Sequence, residues 1–141
     1  ARLDLALELG ATEVLDGTSP DLVQAMVELT GGLDHAVDTT GVISLLEAAI
    51  AALRPMGTLV LLGMQKKDLP LGPMSIAVGK TIKGVVEGNS DPQRIIPELI
   101  RYWREGRFPF DRLIRTFPLS QINEAFAAAH AGRVVKPVLI P

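Results

Sequence analysis

Cysteine is absent from all 141 residues. That excludes disulfides, thiolate metal sites and cysteine nucleophiles together, and it makes a reducing cytoplasm the expected compartment. A strong charge of either sign is also lacking. A formal net charge of −2 sets up no field that would recruit nucleic acid or an anionic membrane. No apolar run approaches the roughly twenty residues that a membrane span requires. Ala1-Arg2-Leu3-Asp4 opens directly into a helical pattern, so no secretory leader is expected. Internal repeats and low-complexity tracts are missing. So are the motifs that usually announce a nucleotide site or a hydrolase: no G-x-G-x-x-G, no phosphate-cradling lysine loop and no G-x-S-x-G elbow. The two histidines, His35 and His130, have no partner at ligand spacing. His35 reads as structural, and His130 reads as a favourable charge near a helix end.

What remains is ordinary globular material. A chain of this length can bury roughly two thirds of its unfolded surface, and 48% apolar with 21% charged residues is a common composition for a packed domain. The centre of the pattern is Asp34–Met64. Ala36 and Val37 lead into the polar turn Asp38-Thr39-Thr40-Gly41, and Ser44-Leu45-Leu46-Glu47 has the form of a capping box. Leu46, Ile50 and Leu53 recur at helical spacing, Arg54-Pro55-Met56-Gly57 breaks the helix, and Thr58–Leu62 is apolar on both faces, as in a central parallel strand. This strand–helix–strand unit directs attention to the carboxyl ends of its strands, Asp38–Gly41 and Leu62–Met64, where open α/β sheets bind ligands.

Around this unit the spacing predicts a first helix stopped by Gly10 and a short strand at Glu13–Asp16. A second helix is predicted to be capped by Ser19, with Leu22, Val23, Met26 and Val27 on its buried stripe. Residues 65–72 read as a loop with Leu69 and Leu71 exposed. Residues 74–78 form a short turn or edge strand, and Thr81–Val86 is a further strand that ends in the turn 87–90. Asp91-Pro92 starts a helix carrying Ile95, Ile96, Leu99, Ile100 and Trp103, with a kink or late start expected at Pro97. Ser120 is expected to cap a last helix bearing Ile122, Ala125, Phe126 and Ala129, and Val134–Ile140 closes the chain as an edge strand because of Pro137. Alternating elements of this kind make the fold α/β with a largely parallel sheet flanked by helices. From the residues alone, Asp38–Gly41 is either a ligand-facing strand end or a self-satisfied turn, and Lys136 either binds an anion or reaches to solvent.

Taken together, Ala1–Leu15, Asp34–Gly41 (DHAVDTTG), Leu53–Gly63 (LRPMGTLVLLG), Ile82–Ser90 (IKGVVEGNS) and Phe108–Ile140 resemble, in order and spacing, the C-terminal portion of medium-chain zinc-dependent alcohol dehydrogenases of the NAD-dependent aryl-alcohol type. The resemblance implies a partial Rossmann-like sheet lacking its first two strands, forming one domain over residues 1–141, with about 108–141 as the family's C-terminal helix and strand. It implies an enzyme passing hydride between NAD and an alcohol or aldehyde. Asp38, Thr39 and Thr40 would face the adenosine half, Leu62, Gly63 and Met64 the nicotinamide ribose, Val85, Val86 and Glu87 the nicotinamide, and Lys136 the pyrophosphate. Residues 69–80 resemble the segment through which two subunits join, so a homo-oligomer is expected. Neither nucleic acid nor membrane is expected as a partner. The family's catalytic zinc is held by cysteines and a histidine; this chain supplies none of those ligands, so no catalytic or metal residue is assigned and the chain alone is expected to be inactive. Two alternatives stand beside this reading: a non-enzymatic dimerisation module and a weak nucleotide-binding module.

Overall fold

The computed structural model describes residues 2–141. They form two compact units, one running through Ser90 and the other from Asp91 to Pro141. The first unit contains helices α1 (Arg2–Glu8), α2 (Leu22–Thr30) and α3 (Ile43–Ala52) and strands β1 (Leu33–Asp38), β2 (Leu53–Leu61) and β3 (Thr81–Gly84). Its strands pair in the order β1-β2-β3, and both pairings are parallel. The second unit holds α4 (Pro92–Arg104), β4 (Ile114–Pro118), α5 (Ile122–His130) and β5 (Lys136–Ile140), with β4 and β5 forming a parallel pair. The α/β class, the parallel sheets and the Rossmann-like partial sheet agree with the expectation drawn from the sequence. Among the described residues no helix is long and apolar enough to cross a membrane.

The core of the first unit is aliphatic. Leu46 and Leu59 are wholly buried, and Ile50 and Leu53 join them, with Leu33, Ala36, Leu61, Leu69 and Ile82 packed around. The 3.6-residue stripe of α3 and the alternation of β2 converge on this cluster, which is why β2 is central. Leu69, expected to be exposed, is half-buried against it. The second unit has its own smaller cluster of Phe117, Ala125, Ala128 and Val134, backed by Leu139. Here the helix turns Ala125 and Ala128 inward. Phe126, placed on the buried side by spacing, is 68% exposed.

Several local expectations are corrected. Glu13–Asp16 is not a strand: a four-residue extended stretch needs a neighbour to satisfy its amides, and β1, the sheet's outer strand, pairs only with β2. None of the three serine caps forms. Ser19 Oγ instead accepts from Asp21 N–H in a turn ahead of α2, and Ser120 lies inside a 3-10 turn, Leu119–Gln121, that precedes α5. The Ser44/Glu47 capping box is pre-empted because α3 starts earlier: the Thr40 hydroxyl accepts from Val42 N–H, and the Val42 carbonyl accepts from Leu45 and Leu46 N–H. The acidic cap that does form is Asp91, whose carboxylate accepts from Gln93 N–H. The helix it caps passes through Pro97 and has no late start.

The β2 strand begins at Leu53, five residues before the expected Thr58, because Leu53 already pairs with Leu33. The pairing then jumps from Leu33↔Leu53 to His35↔Thr58, and residues 54–57 bulge out with Met56 at φ 66°. Arg54 pins this bulge. Its guanidinium donates to both carboxylate oxygens of Asp34 at 2.9 and 3.0 Å and to the carbonyls of Thr30 and Gly31 at 2.7 and 3.2 Å, closing the C-terminus of α2.

Candidate functional site at the strand ends

Three parallel strands in register end together. Asp38 of β1 pairs with Leu61 of β2, and Leu61 pairs with Gly84 of β3. The chain therefore leaves the sheet three times along one edge, through Asp38–Gly41, Leu62–Met64 and Val85–Glu87. Nine of the ten residues singled out from the sequence lie on these three stretches.

Asp38 is the one charged residue that is buried among the described residues, at 8% exposure. Its carboxylate accepts from the Thr40 hydroxyl at 2.6 Å, from Thr40 N–H at 3.0 Å and from Gly41 N–H at 2.9 Å. Burial pushes this carboxyl up, but the hydrogen bonds from the Thr40 hydroxyl, Gly41 N–H and Thr40 N–H together outweigh it and hold the group below the usual carboxylate range. The Asp38 carbonyl accepts from Leu62 N–H at 2.9 Å and Gly63 N–H at 3.1 Å. One residue thus ties the turn after β1 to the turn after β2.

The two turns are in backbone contact. A Cβ on Gly63 would meet Gly41 N at 2.5 Å, and a Cβ on Gly41, which sits at φ 66°, would overlap the Met64 carbonyl. Both glycines are needed where they stand, since no larger residue leaves room for the approach. With the Asp38 side chain buried and engaged inward, the exposed groups are Thr39, Thr40, Leu62 at 41% exposure and Met64 at 90%. Beside them, Val85 N–H donates to the Leu61 carbonyl at 3.0 Å, Val86 is exposed, and Glu87 takes a left-handed conformation at φ 49° in a 3-10 turn. Lys136 is exposed at the start of β5 in the second unit, paired with Ile114.

A cleft of about 450 Å³ opens at this edge, lined by Thr40–Ser44, Met64, Lys66 and Lys67. The two lysines went unremarked in the sequence, where they read as part of a polar loop; the available signal was a pair of cations five and six residues beyond the strand end at Leu61. A larger cavity of about 840 Å³ runs between α2 and α3. It contains no polar constellation comparable to the turn, so the smaller cleft is the better candidate.

Zinc does not fit the residues present. The chain has no cysteine, and among the described residues no group of three His, Cys, Asp or Glu side chains could hold a metal. A dinucleotide fits the strand-end edge better. Three strand ends finish together there, and the adjoining cleft carries the cations Lys66 and Lys67 and no carboxylate.

Comparison with known proteins gives this edge its context. Residues 1–102 match the family model described as zinc-binding dehydrogenase. The geraniol dehydrogenase of Castellaniella defragrans is 42% identical over 99% of this chain, which corresponds to 39% of that protein. An alcohol dehydrogenase zinc-binding domain protein from Burkholderia ambifaria superposes with a TM-score of 0.92 at 43% identity, covering 99% of this chain and 39% of that one. The benzyl alcohol dehydrogenase of Acinetobacter calcoaceticus gives 0.91 at 35% identity, covering 98% and 39%. The chain thus spans about two fifths of the length of the relatives it matches. With the family model covering most of its residues, the chain belongs to the zinc-binding dehydrogenase family.

Proposed function

We propose that this chain is the C-terminal, cofactor-facing portion of an NAD-dependent alcohol dehydrogenase, and that it is inactive by itself. The observation that carries the reading is the alignment of three strand ends at one edge, the position at which open parallel sheets take their ligands. Relatives named for geraniol and for benzyl alcohol support an alcohol or aldehyde as the substrate of the whole protein. When bound, the nicotinamide accepts or returns a hydride. The chain's own residues bind and orient: Thr39 and Thr40 border the adenosine half, Leu62, Gly63 and Met64 the nicotinamide ribose, Val85, Val86 and Glu87 the nicotinamide, and Lys136 supplies a cation for the pyrophosphate. No residue here serves as acid, base or metal ligand.

Calorimetric titration of the whole dehydrogenase and of this chain with NAD and with AMP tests the reading. Saturable NAD binding to the whole enzyme, with little heat from the chain alone, is the expected outcome. Micromolar NAD binding by residues 1–141 alone would mean that a glycine-rich phosphate turn is dispensable and would overturn it.

A second element of the reading is a homo-oligomer joined through residues 69–80. Leu71, Met74, Ile76 and Val78 in this loop are between 43% and 73% exposed, and the segment leads into β3, the outer strand on that side of the sheet. Light scattering should report more than one copy, and charged substitutions at Ile76 should reduce it to a monomer.

A further inference from the structure

We infer that Asp38 is a positioning residue rather than a ligand contact: it locks the turn Thr39–Gly41 against Gly63 and thereby sets the gap between the two strand ends that face the dinucleotide. The inference rests on the dinucleotide reading of that edge and assigns a different role to a residue that the family resemblance places on the ligand.

The carboxylate points into its own turn. Oδ1 accepts from both donors of Thr40, and Oδ2 accepts from Gly41 N–H. The main chain of the same residue accepts from Leu62 and Gly63 N–H across the strand boundary. Side chain and carbonyl therefore organise opposite walls of one junction. That junction has no slack, because Gly41 and Gly63 already touch through their backbones. A shift of the first turn must move Met64, and with it the exposed groups of the second turn. Both carboxylate oxygens are needed as acceptors. An asparagine would present its NH2 to a donor, either Gly41 N–H or the Thr40 pair, and the turn would open on that side.

The test uses the whole dehydrogenase with steady-state kinetics in NAD and thermal denaturation. Asp38→Asn should raise KM for NAD about tenfold while kcat stays within about twofold, the pattern of a lost binding geometry. Thr40→Val should give part of that rise, and Thr40→Ser, which keeps the hydroxyl donor, should recover it. Leu59→Ala, a core change away from the turn, should lower the thermal midpoint without moving KM. If Asp38→Asn behaves like Leu59→Ala, with a lower midpoint and an unchanged KM, Asp38 is only structural and the inference fails. Should Asp38→Asn not fold, an unchanged KM in Thr40→Val refutes it equally. Absence of NAD binding by the wild-type enzyme would instead remove the dinucleotide reading itself.

Discussion

The two units build cores of very different kinds from similar patterns. In the first, α3 and β2 bring large aliphatic side chains together, and Leu46 and Leu59 lose all contact with solvent. In the second, the long helix α4 buries no residue at all, and its apolar stripe leaves Ile96, Ile100 and Trp103 between 42% and 53% exposed. The stripe of α4 is at least as regular as that of α3. Periodicity therefore declares that a face wants cover, while the presence of a sheet beneath it decides whether the face receives cover within the unit. The same division separates the charges. Asp38 in the first unit is held by uncharged donors of its own turn. Glu105 in the second lies at the surface, its carboxyl lowered chiefly by hydrogen bonding to Arg101, with Arg107 adding to it.

The contrast in packing can be broken most directly in the cores. Leu59→Ala should destabilise the first unit by about 2–5 kcal/mol through lost burial and a residual cavity. Ile96→Ala on the half-exposed face of α4 should cost under about 1 kcal/mol. Chemical denaturation of each variant measures both, and equal costs would mean that α4 is covered in solution. Glycines give the next contrast. Gly63→Ala forces a Cβ into the Gly41 backbone and should cost on the order of 2 kcal/mol. Gly106→Ala, at φ 70° but with nothing within 4 Å of the added carbon, should cost only about 1 kcal/mol of backbone strain.

A smaller effect lies in acid. Both Asp38 and Glu105 have folded values below their ordinary ones, so each contributes stability that is present above the unfolded value and is lost as pH falls through the folded one. In salt of about 1 M the Glu105 contribution should fade because its partners are exposed cations, whereas that of Asp38 should persist. Denaturation midpoints between about pH 5 and pH 3, with Asp38→Asn and Glu105→Gln as controls, distinguish the two; equal salt sensitivity would contradict the difference. The least effect is a gain. Met56 holds φ 66° while 76% exposed, so Met56→Gly should stabilise the first unit by about 0.5–1 kcal/mol in the same denaturation assay.

The candidate edge was legible as a place in the fold because strand ends carry punctuation. Asp38-Thr39-Thr40-Gly41 interrupts an apolar strand with residues a strand does not need, and Leu62-Gly63-Met64 ends another at a glycine; both stretches lie at the edge of the sheet. Less legible was the direction in which those polar groups face. Asp and Thr near a turn can serve the turn or a ligand, and only the hydrogen bonds of Asp38 to Thr40 and Gly41 show that its carboxylate serves the turn. Lys66 and Lys67 were passed over because charge on a loop carries no signal until the loop is seen beside the start of α3. The serine caps failed for a related reason. A hydroxyl near a helix start has several amides within reach, and which one it meets depends on where the preceding turn delivers the chain.

The sequence by itself determined the class of fold, the parallel strand–helix–strand unit, the family and the absence of cysteine ligands for zinc. Each is written in local pattern or in composition, and neither requires knowing which distant residues meet. Only the tertiary structure decided that Leu53 pairs with Leu33 and starts β2 early, that Glu13–Asp16 forms no strand, that Phe126 faces out while Ala125 and Ala128 face in, and that Gly41 touches Gly63. All four depend on contacts between residues or elements separated in the chain. Burial and register are properties of pairs, and a linear pattern states only one member of each pair.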